Sequence, residues 1–189
     1  LTGAQTAQRI LNAAGIYDVT IVPISGRLTD HYDPRTKRLA LSQDVYGRTS
    51  VAAVCVAAHE CGHAIQHNIN YAPLNIRSAI VPVANIGSSL SWPIFLLGLI
   101  FSIPALTTVG IVLFSLAVLF QLVTLPVEFN ASSRALKMLE STGILSREEN
   151  KGAKKVLTAA ALTYVAALAS SILQLLRLLI LSGGRRRDD

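Results

Sequence analysis

SAIVPVANIGSSLSWPIFLLGLIFSIPALTTVGIVLFSLAVLFQLVTLPV, residues 78–127, is an unbroken run between Arg77 and Glu128 with no charged residue. A bilayer's hydrocarbon core is roughly 30 Å thick, so a membrane-crossing helix needs about 20 apolar residues. As a single helix this run would be about 75 Å long at about 1.5 Å per residue, too long for one span and enough for two. Pro104 sits near its middle, so a hairpin turn is expected around Ile103 to Thr108, with Trp92 as an interfacial anchor. The composition agrees: 51% hydrophobic and 15% charged residues make the chain more apolar than an ordinary soluble domain.

Downstream of the run, Pro126 suits a helix start, and a helix is predicted from Val127 to Glu140, closed by Gly143. Ser146-Arg147-Glu148-Glu149 has the form of a capping box, opening a helix predicted from Arg147 to Leu181. Its stretch Val156 to Leu176 is apolar and long enough to span, with Arg177 placed to reach the far interface. Gly183-Gly184-Arg185-Arg186-Arg187 reads as a flexible basic tail.

Upstream, Thr2-Gly3-Ala4-Gln5 is a second capping box, followed by Ala7, Ile10, Leu11 and Ala14 at helical spacing and stopped by Gly15. Three strands are expected: Val19 to Pro23, Arg27 to Tyr32 and Lys37 to Ser42. The last two are joined as a hairpin by Asp33-Pro34-Arg35-Thr36. Ser50 to about His67 is rich in Ala and Val and reads as a largely buried helix. The expected fold is α+β and predominantly α, a helical metal-binding domain with a short β-hairpin fused to transmembrane helices. Its parts are residues 1–77, a transmembrane hairpin at 78–127, a helix and connector at 128–155, a further span at 156–181 and the tail 182–189.

Charge and cysteine usage narrow the function classes. The net charge is +6, but Lys and Arg are scattered and never interleaved with aromatics as a basic stripe. That argues against a nucleic-acid partner and for an anionic membrane surface. Cys55 and Cys61 are too few for a disulfide scaffold and read as free thiols in a reducing compartment. The chain begins at Leu1 without a cleavable signal pattern, and a further membrane anchor is expected ahead of it.

The buried helix carries the chemistry. His59-Glu60-Cys61-Gly62-His63 is an HExxH motif. Two His at i and i+4 project from one helix face, so both imidazoles can share one tetrahedral zinc. Glu60 lies beside that position, where its carboxylate can take a proton from the attacking water and hand it to the leaving amine. A catalytic zinc needs a third protein ligand. His67 continues the series, but it lies about 12 Å from His59 along a straight helix, too far to share the ion. Glu128, the first charge after the apolar run, is the stronger candidate. Ala131 and Ala135 on its face would permit close approach to the HExxH helix.

Leu28-Thr29-Asp30-His31-Tyr32-Asp33-Pro34-Arg35-Thr36, Ala57-Ala58-His59-Glu60-Cys61-Gly62-His63-Ala64-Ile65-Gln66-His67 and Thr124-Leu125-Pro126-Val127-Glu128-Phe129-Asn130-Ala131-Ser132 occur in this order. Together they resemble the bacterial neutral zinc metallopeptidases of the YugP-like type, over essentially the whole chain. The resemblance implies a membrane-anchored gluzincin whose third zinc ligand is a Glu on a later helix, a plan shared with HtpX-like and Ste24-like membrane proteases. Those relatives often carry an Asp four residues after that Glu, supporting a zinc His. Here the position is Ser132.

The expected activity is zinc-dependent endopeptidase hydrolysis, with Zn2+ on His59, His63 and Glu128 and Glu60 as general base. Substrates are expected to be membrane proteins or their flanking segments. His31 and Tyr164 are candidate oxyanion donors. The strand Lys37, Arg38, Leu39, Ala40, Leu41 and Ser42 is expected to be an edge that pairs with extended substrate. Arg134, Lys137, Arg147, Lys151, Lys154 and Lys155 outweigh the three Arg of the tail, which by the positive-inside rule places the zinc domain on the cytoplasmic side of a bacterial plasma membrane. The competing reading is a membrane scaffold with a structural zinc, which would have no use for Glu60. Oligomeric state is not written in the sequence.

Overall fold

Thr2 opens the first helix as its side chain dictates. Its Oγ1 accepts from Gln5 N at 3.2 Å and Gln5 Oε1 accepts from Thr2 N at 2.9 Å, a closed capping box. In the computed structural model, which describes residues 1–185, the elements follow in the order α1 (Gly3–Ala13), β1 (Thr20–Ile24), β2 (His31–Asp33), β3 (Arg38–Ser42), α2 (Gln43–Tyr46), α3 (Val51–Asn68), α4 (Ala72–Ile100), α5 (Pro104–Ser141) and α6 (Arg147–Arg185). The protein is predominantly helical with one small sheet, α+β in class.

The chain forms two units. The first comprises Leu1–Leu74 and Val127–Leu162. Its core gathers Ile10 and Leu11 of α1, Leu39 and Leu41 of β3, the Ala-rich face of α3, Ala135 and Leu139 of α5 and Ala153 and Leu157 of α6. The Ser146 capping box closes as expected, with Ser146 N donating to Glu149 Oε2 at 2.8 Å and Glu149 N to Ser146 Oγ at 3.3 Å.

The sheet corrects two expectations. The second strand is only His31–Asp33, because Leu28 adopts φ 57° and Asp30 turns aside to accept from Ser42 N at 2.7 Å. The segment from Lys37 to Ser42 is not an edge. The strand order is β1-β3-β2, so β3 lies in the middle. β1 pairs with it in parallel, Ile21 opposite Leu39, and β2 pairs antiparallel, Tyr32 opposite Leu39. The physical reason is in the strand itself: Leu39, Ala40 and Leu41 are all buried, the continuous apolar run of a strand covered on both sides. Lys37 precedes β3 at φ 51° and pairs at the surface with Asp18.

The second unit comprises Asn75–Pro126 and the described residues from Thr163 onward. The hairpin turn lies at residues 101–103, earlier than expected, because Pro104 stands at the first position of α5 rather than within the turn. Thr107 and Thr108 then donate their hydroxyls to the Pro104 carbonyl. A Cβ on Gly110 would lie 2.8 Å from Phe95 N, so glycine there lets α4 and α5 touch backbone to backbone. Pro126 does not start a helix; α5 runs through it, as α4 runs through Pro82 and Pro93. In an apolar medium one missing backbone bond costs less than a broken helix with several exposed polar groups.

α4, α5 and α6 are each long and apolar enough to cross a membrane. Only 11% of the most apolar stretch of α5, and the same of α6, is buried within the protein, so the apolar surface faces outward. α6 extends past Leu181 through Gly183 and Gly184; of the expected basic tail, Arg186 to Asp189 lie outside the described residues.

Candidate metal centre

α3 is placed by its own residues. Ser50 caps it, its Oγ accepting from Ala53 N at 3.2 Å, and small apolar side chains allow it to be buried along most of its length. His59 and His63, one turn apart, present their rings edge to face with centroids 4.8 Å apart. The Val127–Ser141 part of α5 packs on the same face. A Cβ on Gly62 would lie 2.4 Å from Ala131 O, so the two helices meet at van der Waals distance.

That approach brings Glu128, 4% exposed, onto the two imidazoles. Its Oε2 lies 2.9 Å from His59 Nε2 and 3.6 Å from His63 Nε2. Donors bound about 2.1 Å from a tetrahedral zinc stand roughly 3.4 Å from one another, between those two distances. Two imidazole nitrogens and one carboxylate oxygen are a zinc-type set that leaves one position open. Among the described residues, His59, His63 and Glu128 are the group of ligand atoms close enough to hold a metal ion, all within 4.8 Å of one another. Glu60, next to His59 in α3, is 8% exposed.

Ser132 Oγ stands 3.0 Å from His59 Nδ1, so the hydroxyl meets the ring on the side away from Glu128. His67 is elsewhere: its Nδ1 is 2.8 Å from Tyr32 Oη, tying α3 to β2. Burial, then the charges of Asp18 and Asp33, pushes the Tyr32 phenol up to about 12. His31 is exposed, its Nδ1 donating to Thr29 O at 2.7 Å. Tyr164 belongs to the second unit and is 40% exposed. Cys55 and Cys61 are free and buried; burial pushes Cys55 up to about 11 and Cys61 higher still. Cys61 packs its Sγ 3.7 Å from Ala7 O, a core role.

One residue escaped the sequence reading. Gln66 is fully buried and its Oε1 lies 3.0 Å from His63 Nδ1. Its position one turn from His63 was the available signal, but a Gln in that place is as readily a surface residue.

The family model described as "Putative neutral zinc metallopeptidase" matches residues 1–183. The chain belongs to this family. Zinc is therefore the metal for which the three converging donors are suited. The metallopeptidase is also 50% identical, over 180 residues, to the Bacillus subtilis (strain 168) protein named "Putative membrane protease YugP", a match covering 95% of this chain and 80% of that protein. No solved structure matches it. Family and apolar helices together make this a membrane metallopeptidase acting on peptide substrate.

Proposed function

We propose that the chain is a zinc-dependent membrane endopeptidase of the gluzincin type, with His59, His63 and Glu128 as ligands and Glu60 as general base. The carrying observation is the convergence of three donors from α3 and α5, two imidazoles and the Glu128 carboxylate, with a second, buried carboxylate, Glu60, next to His59 in the chain. When bound, the zinc ion supplies Lewis acidity that lowers the pKa of water and polarises the scissile carbonyl. Glu60, next to His59 in the chain, accepts the proton of the attacking water. Glu60 then returns that proton to the departing amine, restoring its starting state. Ser132 restrains His59 from behind, holding its Nε2 toward the site. The edge strand in contact with α3 is β2, and its outer side offers backbone groups to an extended peptide. Substrates are membrane proteins or the segments flanking their spans, since the long apolar helices confine the enzyme to the bilayer.

The test is Glu60→Gln, assayed on an unfolded protein substrate in detergent. Zinc content should stay at the wild-type level while cleavage falls by about 10²- to 10⁴-fold, the usual worth of a general acid–base group. Near-normal cleavage by the zinc-loaded variant would remove Glu60 from the mechanism. A wild-type protein that holds zinc but cleaves nothing would favour the scaffold reading.

A further inference from the structure

Gln66 is buried in the interface between α3 and α5, and each of its polar atoms has a partner. Its Nε2 donates to Val127 O at 2.8 Å and to Asn130 Oδ1 at 3.0 Å, while its Oε1 faces His63 Nδ1 at 3.0 Å. An amide has nearly the same shape turned end for end, so its direction is set by what its neighbours can give and take. Those neighbours leave no choice. A guanidinium only donates, and Arg134 Nε donates to Asn130 Oδ1 at 2.7 Å. That fixes the Asn130 oxygen toward Gln66, which must answer with its nitrogen. Val127 O, a carbonyl, imposes the same direction. The Gln66 oxygen is thereby turned to His63, and an oxygen can only accept, so the His63 proton resides on Nδ1. Its Nε2 is then the ring nitrogen turned to Glu128, 3.6 Å from Oε2. Arg134 is itself held, its guanidinium carbon 5.8 Å from the centre of the Tyr71 ring.

We propose that Arg134, Asn130 and Gln66 form a positioning chain that locks His63 in the Nδ1–H tautomer, so that Nε2 is the ring nitrogen presented to zinc. This rests on the proposed ligand role of His63. Gln66 touches neither substrate nor metal and acts through the imidazole alone. Ser132 cannot do the same for His59, because a hydroxyl both donates and accepts and so dictates no tautomer. The two histidines are therefore held by different rules: His59 is steered in position, whereas His63 is fixed in protonation as well. The same three side chains bind α3 to the helix that carries Glu128, so ligand orientation and helix docking are set together.

The experiment is ¹⁵N NMR of the histidine rings in the full zinc-free chain in detergent, at a pH where imidazoles are neutral, with zinc titration against a competing chelator. In the wild type, His63 should show the Nδ1–H signature. Gln66→Met, of similar length but without the amide, should show a mixture of tautomers and bind zinc about 10- to 100-fold more weakly, the usual cost of a lost supporting partner. A folded Gln66→Met protein with wild-type tautomer and affinity overturns the proposal. Should that variant fail to fold, the wild-type spectrum decides alone: a His63 proton on Nε2 overturns it. If instead the wild-type His63 signals do not respond to zinc, the ligand assignment fails, and the tautomer measurement still stands as its own answer.

Discussion

Glu128 and Glu140 share one helix and differ in what surrounds them. Glu128 is buried against His59 and His63, whereas Glu140 is exposed. Glu128→Ala should therefore lose zinc affinity and proteolysis together, by more than the roughly 10- to 100-fold that a supporting hydrogen bond is worth. Glu140→Ala should keep both. Zinc titration and cleavage of an unfolded substrate measure the pair, and full zinc occupancy in Glu128→Ala would place the third ligand elsewhere. At this scale the candidate ligands were legible because each has a local signature: i, i+4 spacing for His59 and His63, and for Glu128 its place as the first charge after an apolar run. Gln66 has no such signature. Its role depends on Val127, Asn130 and Arg134 arriving from α5, a juxtaposition that no spacing along the chain encodes.

At the scale of elements, the site depends on how closely α3 and α5 pack. Gly62 faces Ala131 O, which an added Cβ would approach to 2.4 Å, and a backbone oxygen cannot rotate away. Gly62→Ala should push the two helices apart, lowering stability by about 1–3 kcal/mol as overpacked cores do. Zinc affinity should fall with it, since Glu128 rides on α5. Gly152 of α6 is the control, with nothing within 4 Å of an added Cβ. Gly152→Ala should gain up to about 1 kcal/mol of helix propensity. Denaturant melts of the zinc-free proteins and chelator competition read both effects; equal behaviour of the two variants would mean that the close approach is not needed. Helices with strong end signals were readable in advance: Thr2 with Gln5 and Ser146 with Glu149 close the boxes their spacing announces. Strand partners were not. Alternation and turn residues mark a strand, but the insertion of β3 between β1 and β2 is decided by the cover that Leu39 and Leu41 find in the folded core. Pro126 misled for a related reason, because its local preference for a helix start yields to the requirement that an apolar span keep its backbone bonds inside.

At the scale of the whole molecule, the order of segments constrains the topology. The chain leaves the first unit after Leu74, returns to it at Val127 and leaves again after Leu162. One ion cannot be held from two sides of a bilayer. If His59, His63 and Glu128 are its ligands, the segment between them crosses the membrane an even number of times, and the α4–α5 hairpin supplies two apolar helices for that purpose. α6 then adds a third crossing, so the end of α6 is expected on the side opposite the zinc residues. By the positive-inside rule, the excess of Lys and Arg between residues 129 and 157 predicts that the zinc residues face the cytoplasm. Two single-Cys reporters test this, one replacing Thr36 in the exposed turn before β3 and one replacing Ser182 near the end of α6. The native thiols will not interfere near neutral pH, because Cys55 and Cys61 are buried and their ionisation is pushed up by that burial. In intact cells a membrane-impermeant maleimide should label the reporter at 182 and leave the one at 36 unmodified until the membrane is permeabilised. The reverse pattern would keep the odd number of crossings between the two reporters and invert the orientation. Labelling of both, or protection of both, would break the three-crossing topology and with it the route by which Glu128 returns to the histidines.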